Sequence, residues 1–373
     1  MPREHVARVF RQQAGSCGRQ GSPLYAALLE RIARDIEQDG PSVDAVAGYE
    51  DAAVDDVLPL RLLGGAHALA LTGRAPELAA HLPSAGGTFD PARPDAAWPA
   101  LRAALSEERY WLRDWLARPP QTNEVGRSHL LIAALLHTVP TPQTPVRLFE
   151  LGSSGGLNLR AEQFRYEADG FSWGPPDSAV RLTDTWAPEV PAWLRAGAER
   201  HQALRIVERR GCDPSPIDPL SAEGSLTLRA YVWPDQRARM ERLEGALRIA
   251  AKVPATVQGS GAAEFLSTLD VEPGTWTVVW HSVMRQYVPL EEWAAVESEL
   301  ARLAASATPD AGFAHVAFEP GRHDGGEDFW LSVRVGTGPE RLLASAHPHG
   351  LPAGGRVPED PPRWTYGAHD GAE

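Results

Sequence analysis

The chain has 373 residues, 43% of them hydrophobic and 23% charged, which is enough for a sizeable buried core and for two domains or one elaborated domain. Its formal net charge of −13 argues against a nucleic-acid or anionic-membrane partner. No signal peptide, membrane span or disulfide framework is expected, because apolar stretches are short and Cys17 and Cys212 stand alone, so a cytoplasmic location is predicted.

Residues 1–140 are predicted to be helical. Apolar residues recur at helical spacing over 24–36 and 58–71, and two further helices are expected over 98–116 and 127–138. The Pro-, Gly- and Ala-rich stretch 82–97 indicates a loop. Since no strand pattern interrupts this region, we expect an all-α N-terminal domain that caps or binds substrate.

From residue 146 onward, strands and helices alternate, which predicts an α/β domain over residues 141–373. The predicted strands are 146–150, 203–213, 255–258, 275–280 and 313–318, and the helices are 157–163, 236–252, a segment through Phe265 and Leu269, and 290–305. A hairpin insertion is expected at about 164–200, and a C-terminal hairpin over 329–335 and 341–345. This order favours a doubly wound, mostly parallel sheet with an antiparallel edge.

The stretch VRLFELGSSGGLNL at residues 146–159 predicts a buried strand, a tight turn and the start of a helix. Gly152 allows a sharp bend, and the small residues Ser153, Ser154 and Gly156 would let a ligand approach the backbone closely. Free N–H groups at the helix start would then face that ligand. A simple packing turn is the alternative interpretation.

This spelling, with Glu150 at the strand end, resembles the first motif of class I S-adenosylmethionine-dependent methyltransferases. The resemblance implies that Glu150 and the glycines face the methionine end of S-adenosylmethionine. The expected methyltransferase-like order of strands and the C-terminal hairpin agree with it. Segments 123–127, 150–159, 232–236 and 347–350 also resemble an actinobacterial family of unknown function that is related to these methyltransferases.

The second cofactor position of such folds is an acid that ends strand two and binds the ribose hydroxyls. Asp213, in GCDPSP, is the expected ribose ligand, although it lies much further from the glycines than usual and Asp169 and Asp184 compete with it. At the third position, where an acid usually takes the adenine amino group, the chain has Ser260, and Glu264 is a possible substitute. Asp213 as an ordinary turn residue is the alternative.

After strand four the sequence reads WHSVMRQY, where methyltransferases place residues that meet methyl donor and acceptor. His281 is the predicted catalytic base, with a hydrogen-bonded structural histidine as the alternative. Arg285 and Tyr287 are predicted to orient an acceptor carboxylate or to cover the pocket.

Polar residues in two other segments complete the predicted acceptor site. Asn123, Glu124 and Arg127 precede a helix, where Asn123 is alternatively an N-cap, and Asn158 follows the glycine loop. A metal site is not expected, although residues 319–324, His347 and His349 offer donors.

Together these features predict a methyltransferase that uses S-adenosylmethionine and acts on a small-molecule acceptor. The acceptor would lie between the glycine loop, His281 and residues 123–127. Two alternatives stay open: a catalytically inactive ligand-binding protein of the same fold, and an enzyme that uses the same cofactor for other chemistry. The sequence leaves the oligomeric state open.

Overall fold

A computed structural model describes residues 2–49, 57–323, 326–354, 357 and 362–364. The described residues form thirteen α-helices, numbered α1 to α13: Pro2–Arg19, Pro23–Glu37, Pro41–Ala45, Leu58–Leu71, Pro76–Ala79, Trp98–Glu107, Arg109–Leu116, Ser128–Thr138, Ala192–Arg200, Ala222–Ala230, Arg237–Ala250, Ala262–Ser267 and Leu290–Ala305. Four short 3-10 helices are also present: Pro83–Ala85, Val125–Arg127, Leu157–Gln163 and Arg285–Tyr287.

The strands β1 to β13 are Pro145–Leu151, Arg165–Ala168, Phe171–Trp173, Arg181–Leu182, Trp186–Ala187, Arg205–Asp213, Thr256–Gly259, Thr275–Ser282, Ala311–His323, Gly326–Val335, Arg341–Ala346, Ala353–Gly354 and Arg363–Trp364. The chain divides into two compact units. In the described part of the chain, no helix is both long and apolar enough to cross a membrane.

The first unit comprises residues 1–122 and 221–241. It therefore ends earlier than the boundary expected near residue 140, and it takes in a later segment that carries α10. Its regular elements in the described residues are α1 to α7, α10, the start of α11 and one 3-10 turn. Buried side chains of α1, α2, α4, α6 and α7, among them Phe10, Leu28 and Leu62, form its apolar core.

The segment 232–236 belongs to this first unit and has a structural role there. The Asp235 carboxylate accepts hydrogen bonds from Ser22 Oγ at 2.6 Å and from the Leu24 backbone at 3.1 Å. Asp235 therefore stabilises the first turn of α2, where backbone N–H groups have no partner within the helix.

The second unit, residues 123–220 and 242–373, contains a large, mostly parallel sheet with helices, as expected for an α/β protein. Its strand order is β5-β12-β11-β10-β9-β8-β1-β6-β7, and β13 pairs with β9. In this order, the five neighbouring strands β9, β8, β1, β6 and β7 are parallel to one another. Strand β10 is antiparallel to both β9 and β11. The inserted hairpin, β2 and β3, pairs with β4 in a separate three-stranded sheet.

The strand order reverses between β1 and β8, because the chain runs from β1 to β6 and β7 before it returns to β8. In open α/β sheets, ligands bind at the carboxyl ends of strands at such a switch point. On one face of the sheet there, Phe149, Leu151 and Val279 pack with Phe265 of α12 and Trp293 of α13.

The segment after β1 differs from the expected helix. Residues Leu157–Gln163 form a seven-residue 3-10 helix with a kink at Arg160, so no α-helix starts at the glycine loop. The predicted helix 98–116 is likewise two helices, α6 and α7, which meet at Glu108.

Candidate functional site

The glycine loop between β1 and the 3-10 helix has an unusual backbone. Gly152 and Gly156 have φ angles of 66° and 64°, and the non-glycine Ser154 has a φ of 51°. L-residues rarely adopt this left-handed conformation, and it tends to persist where surrounding contacts impose it, often at functional sites.

Close contacts explain why glycine occurs at both loop positions. A Cβ on Gly156 would lie 2.7 Å from Val257 Cγ2, and one on Gly152 would lie 3.0 Å from Met284 Cβ. On the neighbouring strand β6, a Cβ on Gly211 would lie 1.9 Å from Ser153 Oγ. The loop is thus packed tightly between the ends of β6, β7 and β8.

The N–H groups of this loop are used inside the protein, which corrects the expectation of free donors. The Ser154 N–H donates to Asp213 Oδ2 at 3.0 Å, and the Leu157 N–H donates to Asn123 Oδ1 at 2.8 Å. The Gly156 N–H donates to the Ser153 carbonyl at 2.7 Å. A ligand here would therefore meet side chains rather than a helix N-terminus.

Glu150, at the end of β1, is a buried acid with an altered acidity. Its side chain is 3% exposed, and its Oε1 accepts a hydrogen bond from the Trp280 indole at 3.1 Å. Burial raises the pKa of Glu150 to about 8, although the Trp280 indole, Arg160 and Asn158 oppose that rise. The group is therefore mostly protonated at neutral pH.

Four buried polar atoms at this edge have no hydrogen-bond partner among the described residues. They are Glu150 Oε2, Ser154 Oγ, Asn158 Oδ1 and Ser260 Oγ. Buried polar groups in folded proteins are usually paired, with protein atoms or with bound molecules. All four belong to residues that the sequence predicted to contact cofactor or acceptor.

Asp213 ends β6 and holds the glycine loop. Its Oδ2 accepts from Ser154, its Oδ1 accepts from the Ser215 backbone at 2.8 Å, and 9% of the residue is exposed. The Ser260 N–H donates to the Asp213 carbonyl at 3.3 Å, so the ends of β6 and β7 meet there.

The other acids considered for the cofactor lie elsewhere. Asp169 is in the turn between β2 and β3, and Asp184 follows β4, so neither ends a strand of the central sheet. Glu264 is exposed on α12.

Residues 123–127 lie against the glycine loop. Asn158 Nδ2 donates to the Glu124 carbonyl at 3.3 Å, beside the contact between Asn123 and Leu157. Glu124, not Asn123, is the capping residue here, since its carboxylate accepts from the Gly126 N–H at 2.9 Å. The suggested N-cap role of Asn123 is thus replaced by a bond to the loop.

Arg127 joins this segment to two other parts of the sheet edge. It donates to the Pro348 carbonyl at 2.9 Å and to the Ser282 carbonyl at 3.2 Å. Nearby, His129 Nε2 lies 2.6 Å from the Gly350 carbonyl oxygen. Segments 123–127, 150–159 and 347–350, which are distant in sequence, therefore meet at the carboxyl ends of the strands.

His281 lies on the opposite face of the sheet from Glu150. Glu150 bonds Trp280, and the side chain of the next residue in a strand points the other way. His281 is 1% exposed, and it lies 2.7 Å from Glu319 Oε1 through Nδ1 and 3.0 Å from His315 Nε2 through Nε2. The structure thus does not bring His281 into contact with the Glu150 group.

Arg285 accompanies His281, whereas Tyr287 does not. The Arg285 guanidinium donates to Glu297 at 3.1 Å and lies 4.7 Å from the centre of the Trp293 ring. Tyr287 is 56% exposed at the surface.

Sequence reasoning missed His315 as a functional candidate and considered Glu319 only as a metal donor. Both lie on β9 at alternate positions, in a strand that is otherwise almost wholly apolar through Phe318. Polar residues four apart, which place both side chains on one face of a buried strand, were the signal that could have identified them. Among the residues that the structure describes, no group of three or more His, Cys, Asp or Glu could hold a metal ion; Asp324 lies outside those residues.

Comparison with known proteins identifies the family but not an activity. The sequence profile of a family described as "Uncharacterized protein conserved in bacteria (DUF2332)" matches residues 7–353. The match covers nearly the whole chain, and the chain therefore belongs to this bacterial family. No curated protein matches it.

Proposed function

We propose that this DUF2332 protein is an S-adenosylmethionine-dependent methyltransferase acting on a small molecule. The cofactor would lie over residues 150–156 with its ribose at Asp213, in a methyltransferase-like second unit. The N-terminal helical unit would serve as the substrate cap. The observation that carries this proposal is the set of four unpartnered buried polar atoms beside a glycine loop at the switch point.

The chemistry of these residues fits the cofactor. A buried carboxyl with an unpartnered oxygen, as in Glu150, suits the ammonium group of a methionine moiety. Each Asp213 oxygen accepts one backbone hydrogen bond, and a carboxylate oxygen can accept a second, here from a ribose hydroxyl. The hydroxyls of Ser154 and Ser260 supply further hydrogen bonds at the same edge.

When bound, the cofactor supplies a methyl group on a sulfonium, which is a good leaving group. The protein's contribution is then to hold the acceptor in line and to exclude water. Burial of Glu150, Ser154 and Asn158 suits water exclusion. Because these residues are buried, a covering segment must move before a ligand can reach them. We expect residues 123–127, which two hydrogen bonds join to the loop, to be that segment.

A catalytically inactive binding protein is the second candidate. It is favoured by Ser260 at the position where an acid usually binds the adenine, since a hydroxyl accepts a hydrogen bond more weakly than a carboxylate. Cofactor binding without transfer to any acceptor would distinguish it from the enzyme.

The test is calorimetric titration with S-adenosylmethionine and its demethylated product. We expect saturable micromolar binding to the native protein, weakened at least about tenfold in Asp213→Ala, which loses a charge-assisted ligand bond. Glu291→Gln, at the exposed start of α13, should bind as the native protein does. Absence of binding at millimolar ligand would sink the proposal.

Proton release supplies a second readout. An ammonium group beside Glu150 favours the charged carboxylate, so binding at pH 7 should release a proton from this group. Titrations in two buffers of different ionisation enthalpy measure that release. It should disappear in Glu150→Gln.

A further inference from the structure

A cavity lies on the sheet face that carries His281. It has a volume of about 340 Å³, and its lining includes His281, His315, Glu319, Trp293 and Arg334. This size is at the lower end of the range for small-molecule sites, about 300–1,000 Å³. No residue of the glycine loop lines it, so it is a site separate from the one proposed for the cofactor.

Hydrogen bonds in the cavity wall link Glu319, His281 and His315. Glu319 Oε1 accepts from the backbone N–H groups of Met284 at 3.1 Å and Arg285 at 3.4 Å, so it acts as an acceptor toward His281 as well. His281 Nδ1 is then the donor at 2.7 Å. His281 Nε2 and His315 Nε2 lie 3.0 Å apart and share one hydrogen bond.

This chain of bonds uses His315 Nε2 and leaves His315 Nδ1 for a ligand. That atom has no hydrogen-bond partner among the described residues. Burial, with the charges of His281, Arg334 and Arg285, holds the pKa of His315 well below its usual value, so the ring is neutral. A bound hydroxyl, which can donate or accept, would find a hydrogen-bond partner there.

The cavity also contains an unpaired donor and an unpaired acceptor. Arg334 Nε is buried and has no hydrogen-bond partner among the described residues, and neither has Glu319 Oε2. Arg285 is engaged by Glu297 and Trp293, which leaves Arg334 as the cation for a ligand. The Trp293 and Trp364 rings form apolar walls for a short carbon skeleton.

We propose that this cavity binds a small hydroxy acid, whose carboxylate pairs with Arg334 and whose hydroxyl forms a hydrogen bond with His315 Nδ1. Guanidinium groups bind carboxylates through charge-assisted hydrogen bonds. The bond to His281 occupies His315 Nε2, so a ligand without the hydroxyl leaves His315 Nδ1 unmatched.

Calorimetry with two matched pairs tests this: L-lactate against propionate, and L-malate against succinate. We expect at least one hydroxy acid to bind, and to bind at least about tenfold more tightly than its deoxy partner, since a site that hydrogen-bonds a hydroxyl rejects the analogue lacking it. Arg334→Gln should weaken that binding at least about tenfold. Arg205→Gln, an exposed arginine on β6, is the matched control and should change nothing.

No binding of either hydroxy acid at millimolar concentration, or equal affinity within both pairs, would overturn the proposal. Because Arg334→Gln might unfold the site, nitrogen-15 spectra of histidine in the native protein give a separate check. The His315 Nδ1 resonance should shift when the hydroxy acid is added; an unchanged resonance would also overturn the proposal. Neither readout depends on S-adenosylmethionine.

Discussion

The two faces of the central sheet, at the carboxyl ends of its parallel strands, differ in how their buried polar side chains are hydrogen-bonded. On the face of Glu150 and Trp280, Glu150 Oε2 has no hydrogen-bond partner among the described residues, and residues 123–127 hydrogen-bond to the neighbouring loop. On the face of His281, the Glu319, His281 and His315 side chains bond to one another beside a cavity. The side chains of the successive strand residues Trp280 and His281 therefore contact different groups, because side chains alternate across a sheet.

The largest effect should come from breaking the bonded chain on the His281 face. Glu319→Ala leaves the His281 ring and two backbone N–H groups without their acceptor, and should lower the free energy of unfolding by about 3–5 kcal/mol. Urea unfolding measures it. Glu340 is an exposed acid that lines the same cavity, and Glu340→Ala should lower the free energy of unfolding by less than about 1 kcal/mol. A similar loss in both variants would contradict the proposed difference between the two acids.

Glu150→Gln tests the other face through pH. Unfolded, the carboxyl loses its proton near 4.5, whereas the folded protein retains it to about 8. The unfolded state therefore binds fewer protons between these values, and Glu150 makes the native protein less stable as pH rises through that window.

The Gln variant cannot lose this proton. Its free energy of unfolding, relative to the native protein, should therefore rise from pH 5 to pH 8, by at most about 1.4 kcal/mol per pH unit. Thermal or urea unfolding at several pH values measures the difference. A difference independent of pH would mean that Glu150 is not a buried, protonated acid.

Gly156→Ala tests how tightly the loop is packed. Its φ of 64° strains any L-residue, and its Cβ would lie 2.7 Å from Val257 Cγ2. Gly274→Ala is the matched control, because it has a φ of 73° and nothing within 4 Å. We expect about 1 kcal/mol for the control and about 1–3 kcal/mol more at Gly156, by urea unfolding. Equal losses of unfolding free energy in the two variants would show that the Val257 side chain moves aside at no cost.

The smallest expected change in stability distinguishes a hydrogen-bonded serine hydroxyl from one without a partner. Ser153→Ala removes a bond of 2.7 Å to the Glu150 carbonyl and should cost about 1 kcal/mol. Ser260→Ala removes a hydroxyl without a partner, and should change the free energy of unfolding by less than about 0.5 kcal/mol. A larger loss at Ser260 would mean that its hydroxyl already has a partner.

Much of the fold follows from local patterns. The alternation of apolar strands and amphipathic helices after residue 146 predicted a mixed α/β unit with a large, mostly parallel sheet, and this is confirmed. The predicted α-helix after β1 was wrong, because the seven residues Leu157–Gln163 are too few for a stable α-helix and their backbone kinks at Arg160. The incorporation of residues 221–241 into the first unit depends on distant contacts such as Ser22 with Asp235.

The site was predictable only in part. Acids and glycines after apolar runs predict strand ends at the sheet edge, so the positions of Glu150, Gly152 and Asp213 followed from local pattern, although Asp213 lies further along the chain than the usual spacing. The pairing of His281 with His315 and Glu319 was not, because it depends on the register that sets His281 beside Ala317. Long-range register is fixed by tertiary packing rather than by local sequence.

Hydrogen exchange of the backbone amides with and without S-adenosylmethionine tests the central claim most directly. The glycine loop, Asp213 and residues 123–127 belong to one edge, whereas His281, His315 and Glu319 belong to the other site. We predict added protection at 150–158 and 213–217, with 123–127 changed, and none in 311–319. No change anywhere, or protection confined to the strand carrying His315 and Glu319, would contradict a cofactor site at the glycine loop.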